Sequence, residues 1–488
     1  MSSHSAIAGE PRRSFAGAAF SAQIALLVLL CLYLTWIQRY LFADGSYFVW
    51  HLLETRSVFD WFPARRFSHL LTQLPTVFAM RVLHCRNLPA LSALYGATMF
   101  LMPIAGPLAA AWAGRTAPAN FLAIPLLCAS LLTLTTSFVI FHEAWVAVAL
   151  FWCALSLLLH SPRLTATRGV VLLAVSALAT RTFESYLFLS MPLAAAAWLR
   201  LVAARRRGAR FDMAACAACL MINVTGTILA AMEIHSPRDP ANRSTFLEGL
   251  GMHLGSPAVV LSLAYLLAFI VFSLCRPTSR VLRAGQMTAL LLAAAALGVG
   301  LIPFLAPQSI RPESQYGARV QFVYVPLLLG VLAVFLEHGK SDRRAGFITE
   351  RPDLWKLTMG LTLGAVLFHV GAGREWARFR DALRDDAARD RGVISFGDSA
   401  IGESRMRKDA TEFDATRLTQ FSWSWTTPTL SALSGALEFG RVGTVIENER
   451  PVVWQPFDPR DMGAYRWLEE YGVEVRVGGS AAGDDSPP

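Results

Sequence analysis

Charge is scarce in this chain. Only 16% of its 488 residues are Asp, Glu, Lys or Arg, against about 25% in an ordinary soluble domain. Hydrophobic residues make up 54%, and mean hydropathy is +0.43. This balance excludes a soluble globular protein and leaves an integral membrane protein. The net charge of +9 does not point to nucleic acid, because the arginines gather in short loops between apolar stretches, where they set orientation. Cysteine is also sparse. Seven are present, mostly in apolar segments, so no disulfide framework is expected. Cys216 and Cys219 form a CxxC, but inside a predicted helix, where small apolar packing residues are the simpler reading. No internal repeat is evident, which argues against a secondary transporter built on inverted repeats. No cleavable signal peptide is expected, since the first apolar run, about Phe15 to Tyr40, is too long for one.

What the chain does have is eleven apolar stretches. A spanning helix needs roughly 20 apolar residues, and the hydropathy pattern predicts spans at 17–37, 88–113, 119–138, 144–160, 169–181, 184–202, 212–233, 256–275, 287–306, 321–338 and 354–372. With Arg12 and Arg13 placed in the cytoplasm, every loop returning there is basic. These loops carry Arg115; Arg163 and Arg168; Arg205, Arg206, Arg207 and Arg210; Arg276, Arg280 and Arg283; and Lys340, Arg343, Arg344 and Arg351. The odd span count then puts the segment after Ala372 outside. The expected organisation is a cytoplasmic N-terminus (1–16), a transmembrane domain (17–372) with a large first outer loop (38–87), a small extracytoplasmic α/β domain (373–478) and a disordered tail (479–488). The fold class is an all-α polytopic membrane protein with that small domain appended.

The opposite face collects acids, bases and aromatics. The first outer loop holds Asp44, Arg65, Arg66 and His69; His142 and Glu143 follow span three; Arg181 and Glu184 follow span five; Arg311, Glu313, Tyr316 and Arg319 precede span ten. The loop 234–255 adds His235, Arg238, Asp239 and Arg243. Ionisable groups at membrane depth are functional candidates by default. Span five is only about 13 residues long, short of the roughly 20 needed to cross, so Arg181 and Glu184 are expected below the membrane surface in a water-filled cavity. Residues 46–62 and 67–82 read as amphipathic helices lying in the interface, with a re-entrant element as the alternative for 70–82. Residues 374–390 read as a charged amphipathic helix. Short strands are expected at Val393–Phe396, Thr444–Ile446, Pro451–Trp454 and Val473–Val477.

The run Tyr40-Leu41-Phe42-Ala43-Asp44-Gly45-Ser46-Tyr47 ends the first span and opens the amphipathic outer loop. This arrangement resembles the polytopic glycosyltransferases of the GT-C class, which use polyprenyl-phosphate sugars as donors. The resemblance implies that an acidic residue just after the first helix is the catalytic base, a role that falls on Asp44. Its usual paired acidic motif is missing, since Asp44 stands alone until Glu54 and Asp60. That leaves the subfamily and a divalent metal requirement open, and no other cofactor is implied. The implied donor is a polyprenyl-phosphate sugar and the implied acceptor a lipid or glycan, handled among membrane lipids at the outer face.

The reaction needs a base for the acceptor proton and cations for the phosphate. Asp44, Glu143 and Glu184 are the candidate catalytic acids. His142, Arg181, Arg311, Arg319, Tyr316, Arg65 and Arg66 are the candidate substrate-binding residues, arginine being suited to bidentate phosphate contacts. Each has a plainer alternative. Asp44 can be a solvated helix end. Arg181 and Glu184 can form an i,i+3 ion pair. Arg65 and Arg66 can anchor an interfacial helix. Trp423, Trp425 and Trp454 can stack on a glycan or simply pack in a core. The competing functions are a transporter or flippase for a lipid-linked solute, a membrane acyltransferase or ligase of envelope polysaccharide, and a scaffold for envelope assembly. The Ala- and Arg-rich composition suits a bacterial inner-membrane protein, with the site and C-terminal segment facing the periplasm.

Overall fold

Apolar runs bounded by capping residues give the chain its helices. The computed structural model describes residues 15–59, 65–115, 117–135, 142–235, 257–307, 314–338, 351–401, 426–447 and 458–477, with the side chains at 119, 142, 233–235 and 314–319 left out. The helices are α1 (Phe15–Trp36), α2 (Asp44–Thr55), α3 (Arg66–Arg81), α4 (Leu88–Ala113), α5 (Ala123–Thr135), α6 (His142–His160), α7 (Ala166–Ala179), α8 (Tyr186–Arg206), α9 (Arg210–His235), α10 (Pro257–Leu274), α11 (Ser279–Leu305), α12 (Ser314–His338), α13 (Pro352–Ala387) and α14 (Thr427–Phe439). Starts are marked by side-chain caps. Asn87 accepts from the Ala90 amide, Thr165 from Arg168 and Thr278 from Val281, each filling one of the helix's orphan donors.

Among the described residues, nine helices are long and apolar enough to cross a membrane. The chain is a helical, multi-pass membrane protein. All eleven expected stretches are helical, but two are short. The expected span 169–181 is α7, of 14 residues. The expected span 119–138 is the 13-residue α5 behind a 3-10 turn at Ala119–Leu122, and residues 136–141 lie outside the described set.

Polar side chains tie the bundle together inside. Thr362 of α13 donates to Gln23 of α1 (3.1 Å) and is hydrogen-bonded to Ser130 of α5 (2.8 Å), while His369 Nε2 meets the Thr133 carbonyl at 2.6 Å. Such bonds are worth about 0.6 kcal/mol on average between membrane helices. The α11–α13 contact uses small residues instead. A Cβ added at Gly364 would lie 2.6 Å from the Ala296 carbonyl oxygen, so the two backbones run too close for any larger side chain.

Two differences from the sequence-based expectation matter for function. Helix α13 continues from Pro352 to Ala387 without a break, passing straight through the expected domain boundary at 372–373. Its later turns stay helical because Trp376, Phe379, Leu383 and Ala387 form one buried stripe. Helix α2 is also not an interfacial helix with one face in lipid. Eight of its 12 residues are buried, because the C-terminal segment covers it. Trp50 meets Tyr465 and Trp467 edge-on at 5.8 and 4.9 Å. The Tyr471 hydroxyl donates to the Leu53 carbonyl at 2.9 Å. Arg56 pairs with Glu470 and lies over the Tyr471 ring.

Helix α3 is two-faced. Ser68, His69, Thr72, Gln73 and Thr76 face inward, while Leu74 and Phe78 are 48% and 51% exposed. The covering segment contains β1 (Gly392–Ile394), β2 (Arg441–Val442), β3 (Thr444–Ile446) and β4 (Glu474–Val475), paired in parallel as β1–β3 and β2–β4. The expected strand Pro451–Trp454 lies outside the described residues.

Elsewhere in the bundle a buried ion pair ties the start of α13 to the end of α10. Arg351, fully buried, donates from Nε and Nη2 to both Asp353 oxygens (3.0 and 2.7 Å) and from Nη1 to the Cys275 carbonyl. Removing one partner of such a pair strands the other charge. Arg351→Ala is expected to lower unfolding stability by about 3–5 kcal/mol, read as a lower melting temperature of the purified protein in detergent. An unchanged melting temperature would show that the pair holds nothing together.

Candidate functional site

The chain leaves α1 through a tight turn that delivers Asp44. Gln38 is left-handed (φ 55°), and residues Arg39–Leu41 make one 3-10 turn. Ala43 then takes φ 52° and ψ −129°, a region nearly reserved for glycine and costing of order 1–3 kcal/mol for other residues. Gly45 follows for a steric reason: a Cβ there would lie 1.7 Å from the Tyr40 carbonyl oxygen. The turn is docked by Tyr40. Its hydroxyl is bonded to Ser92 of α4 at 2.8 Å, and its ring lies flat enough on α4 that a Cβ at Gly96 would come within 2.1 Å of Cδ1. The Trp376 indole donates to the Ile37 carbonyl at 2.8 Å. Asp44 emerges half-buried as the first residue of α2.

The second component is Arg65, just before α3 and 8% exposed. Its Nε and Nη2 donate to one Glu184 oxygen at 3.1 and 2.8 Å, and Nη1 lies 3.8 Å from Glu143 Oε1. The guanidinium also stands 5.1 Å from the Phe183 ring centroid, a cation–π distance. Burial alone would lower its pKa. Glu184 and Glu143 more than offset that, with a further contribution from Asp44, so the group is held above its ordinary value. The start of α3 is pinned in place by backbone bonds. Phe67 donates to the Arg181 carbonyl at 3.1 Å, and Ser68 Oγ reaches the carbonyls of Thr182 (2.8 Å) and Glu143 (3.2 Å).

Asp44, Arg65, Glu143 and Glu184 thus converge at one end of the bundle, from four separate stretches of chain. Glu143 is 5% exposed and the Glu184 side chain 29%. Arg65 is buried between acids instead of anchoring a helix at a surface. The i,i+3 reading of Arg181 with Glu184 is replaced: no ion pair joins them, Arg181 is exposed, and Arg65 takes Glu184 instead. Arg66 is exposed. His142 begins α6, and Tyr316 and Arg319 lie in the first turns of α12, but their side chains fall outside the description. Arg311, Trp423, Trp425, Trp454 and the loop residues Arg238, Asp239 and Arg243 lie outside the described residues altogether. Among the described residues no group of three or more His, Cys, Asp or Glu side chains is arranged to hold a metal ion.

Sequence reasoning missed Phe183, and it missed Tyr95 of α4, which is fully buried with its ring 6.4 Å from that of Tyr40. Asp44 and Glu143 both act electrostatically on its hydroxyl. A tyrosine within an apolar span carries no signal of its own. Its neighbour Gly96 does, once Tyr40 is known to need that gap. His69, named in the first loop, is fully buried beside Phe48, with ring centroids 5.0 Å apart.

No family model matches the chain, and no curated protein or solved structure matches it.

The docking of the turn can be tested directly. Gly96→Ala forces the Tyr40 ring away and is expected to cost about 1–3 kcal/mol, as overpacking does. Tyr40→Ala removes the same contact from the other side. In a thermal-denaturation double-mutant cycle the two should be strongly non-additive, and additivity would disprove the contact.

Proposed function

We propose that the protein is a membrane glycosyltransferase of the GT-C class, moving a sugar from a polyprenyl-phosphate donor to a lipid or glycan acceptor. The observation that carries this reading is the delivery of Asp44, on a strained and docked turn after the first helix, beside a buried cluster of one arginine and two glutamates. Rigid placement of a carboxylate next to a charge cluster is what acid–base work demands.

The roles follow from the partners. Glu143 and Glu184 both face Arg65 and hold it in place. Asp44 is half-buried on the docked turn after the first helix, and we assign it as the base. The acceptor oxygen attacks the anomeric carbon and its proton passes to Asp44. The bond between that carbon and the phosphate oxygen breaks, and polyprenyl phosphate leaves. Arg65 is committed to two acids, so the donor phosphate falls to other cations. Arg66 and Arg181, both exposed, are the described candidates, with Arg311, Arg319, His142 and Tyr316 from the loops beyond. The outward apolar face of α3, at Leu74 and Phe78, gives a polyprenyl tail a surface one helix-width from the polar face of the same helix. The Ala- and Arg-rich composition supports a bacterial inner-membrane location, and the positive-inside pattern supports placing this end of the bundle in the periplasm, where nucleotide sugars are absent and lipid-linked donors serve. A divalent metal remains open.

The experiment compares wild type with Asp44→Asn after purification and reconstitution, using radiolabelled polyprenyl-phosphate sugars with envelope lipids and glycans as acceptors. Asp44→Asn should keep its fold and lose about 10²–10⁴-fold in transfer. Equal activity in both would move the base to Glu143 or Glu184. No transfer by wild type from any donor would count against the transferase and for transport or acyl transfer.

A further inference from the structure

Helix α13 packs against both α1 and α11 and runs on past the ends of both. The contacts are close at the end of the bundle that carries Asp44. A Cβ added at Gly373 would lie 2.7 Å from Tyr33 Cε1 and 2.8 Å from Ile37 Cδ1, on the α1 side. A Cβ added at Gly371 would lie 2.7 Å from Phe304 Cε2, on the α11 side. Helix α1 ends here at Trp36 and α11 at Leu305, while α13 continues to Ala387. Trp36 and Leu305 are 81% and 78% exposed. In a multi-pass membrane protein, apolar side chains as open as these face lipid, and tryptophan favours the headgroup level.

Between these two contacts one strip of α13 is left uncovered. Leu363, Val370 and Arg374 stand at i, i+7 and i+11, on one helix face, and none of them is buried. The strip is apolar until it reaches Arg374, with Arg378 one turn further on. Their side chains are 51% and 44% exposed. Arg378 uses only Nη1 on the buried Glu375, donating to its two oxygens at 3.1 and 3.3 Å. Arg374 Nε lies 3.9 Å from Glu375, too far for a hydrogen bond. Its guanidinium stands 5.7 Å from the Phe304 ring centroid, which holds it at the end of α11. Most of the five N–H donors on each guanidinium are thus open at the top of an apolar strip.

We propose that this strip is a groove for one anionic phospholipid, with its phosphate on Arg374 and Arg378 and an acyl chain along Val370 and Leu363. Guanidinium groups suit bidentate contact with phosphate oxygens. The length of the strip selects the tail. Leu363 lies eleven residues before Arg374, a distance of about 16 Å at about 1.5 Å per residue. One leaflet is half of a hydrocarbon layer roughly 30 Å thick, so the strip matches the chain of a single-leaflet lipid. A far longer polyprenyl tail gains little from it. The groove is therefore assigned to a phospholipid and not to the sugar donor, and it stands independently of the transferase reading.

The test uses the full chain, delipidated in detergent, with dioleoyl phosphatidylglycerol as the probe. Binding is read by native mass spectrometry and by the rise in melting temperature. Glycerol 3-phosphate and undecaprenyl phosphate are run beside it. Wild type is expected to hold phosphatidylglycerol more tightly than either. Arg374→Gln removes no hydrogen bond to Glu375, so the melting temperature without lipid should stay the same while phosphatidylglycerol binding weakens about 10–100-fold. Val370→Trp keeps both arginines and fills the strip, and it should weaken binding at least about 10-fold. Arg384→Gln, further along α13 and similarly exposed, should leave binding unchanged. Wild-type affinity in Arg374→Gln or in Val370→Trp would overturn the proposal. So would an equal loss in Arg384→Gln, which would show only the general attraction of cations to an anionic lipid. Equal binding of glycerol 3-phosphate would show a site for free phosphate, and tighter binding of undecaprenyl phosphate would give the groove to the donor; either result overturns the phospholipid assignment. Should Arg374→Gln fail to fold, Val370→Trp decides.

Discussion

The buried guanidinium of Arg65 is the interaction on which the site depends. An ion taken out of water loses several kcal/mol of hydration even after the protein relaxes. Here that loss is met by the doubly bonded Glu184, by Glu143 at 3.8 Å, and by the Phe183 ring. The three acidic and aromatic partners come from the start of α6 and the turn between α7 and α8, while Arg65 itself opens α3. One side chain therefore fixes the position of three pieces of backbone, and the bonds from Phe67 and Ser68 to the same stretches of chain keep the register. Without the arginine, Glu143 would be a nearly buried carboxylate stripped of its contact with Arg65. The cluster is thus an electrostatic unit, and its cation belongs to the protein before it belongs to any ligand.

Asp44 is held by a different means. Its placement comes from a backbone that no ordinary residue would choose at Ala43, and from a glycine that nothing else could replace at position 45. A strained turn persists only where its surroundings over-determine it. Two sets of contacts do so. Tyr40 is wedged on α4 from below, and α2 is gripped from outside by the C-terminal segment through Trp50, Leu53 and Arg56. The covering segment and the continuous helix α13 are therefore part of the apparatus that aims the carboxylate, with the Trp376 indole bonded to the carbonyl of Ile37 at the turn's entrance.

The spans were legible because hydropathy records them directly. Among the described residues each expected stretch contains a helix, nine of them long enough to span, and the shortness of α7 could be counted off the sequence. Asp44, Glu143 and Glu184 could be picked out because a carboxylate at the edge of an apolar run is conspicuous. Their pairing was hidden. Arg65 and Glu184 are 119 positions apart, and the nearer Arg181 offered a local i,i+3 partner that the fold does not use. The burial of α2 was equally hidden, since an amphipathic helix looks the same whether lipid or another segment covers it. The break expected near residue 373 was a change in composition, not in conformation. The charges begin there, but the spacing of Trp376, Phe379, Leu383 and Ala387 carries the helix on.

The short helix α7 links depth to chemistry. At about 1.5 Å per residue, its 14 residues cover about 21 Å of a hydrocarbon layer about 30 Å thick. That length falls short of a full crossing, and the turn after it sets Phe183 and Glu184 against the buried Arg65. Lower effective dielectric there strengthens every charge–charge contact, which favours keeping Arg65 bound to its acids over exchanging it for a ligand.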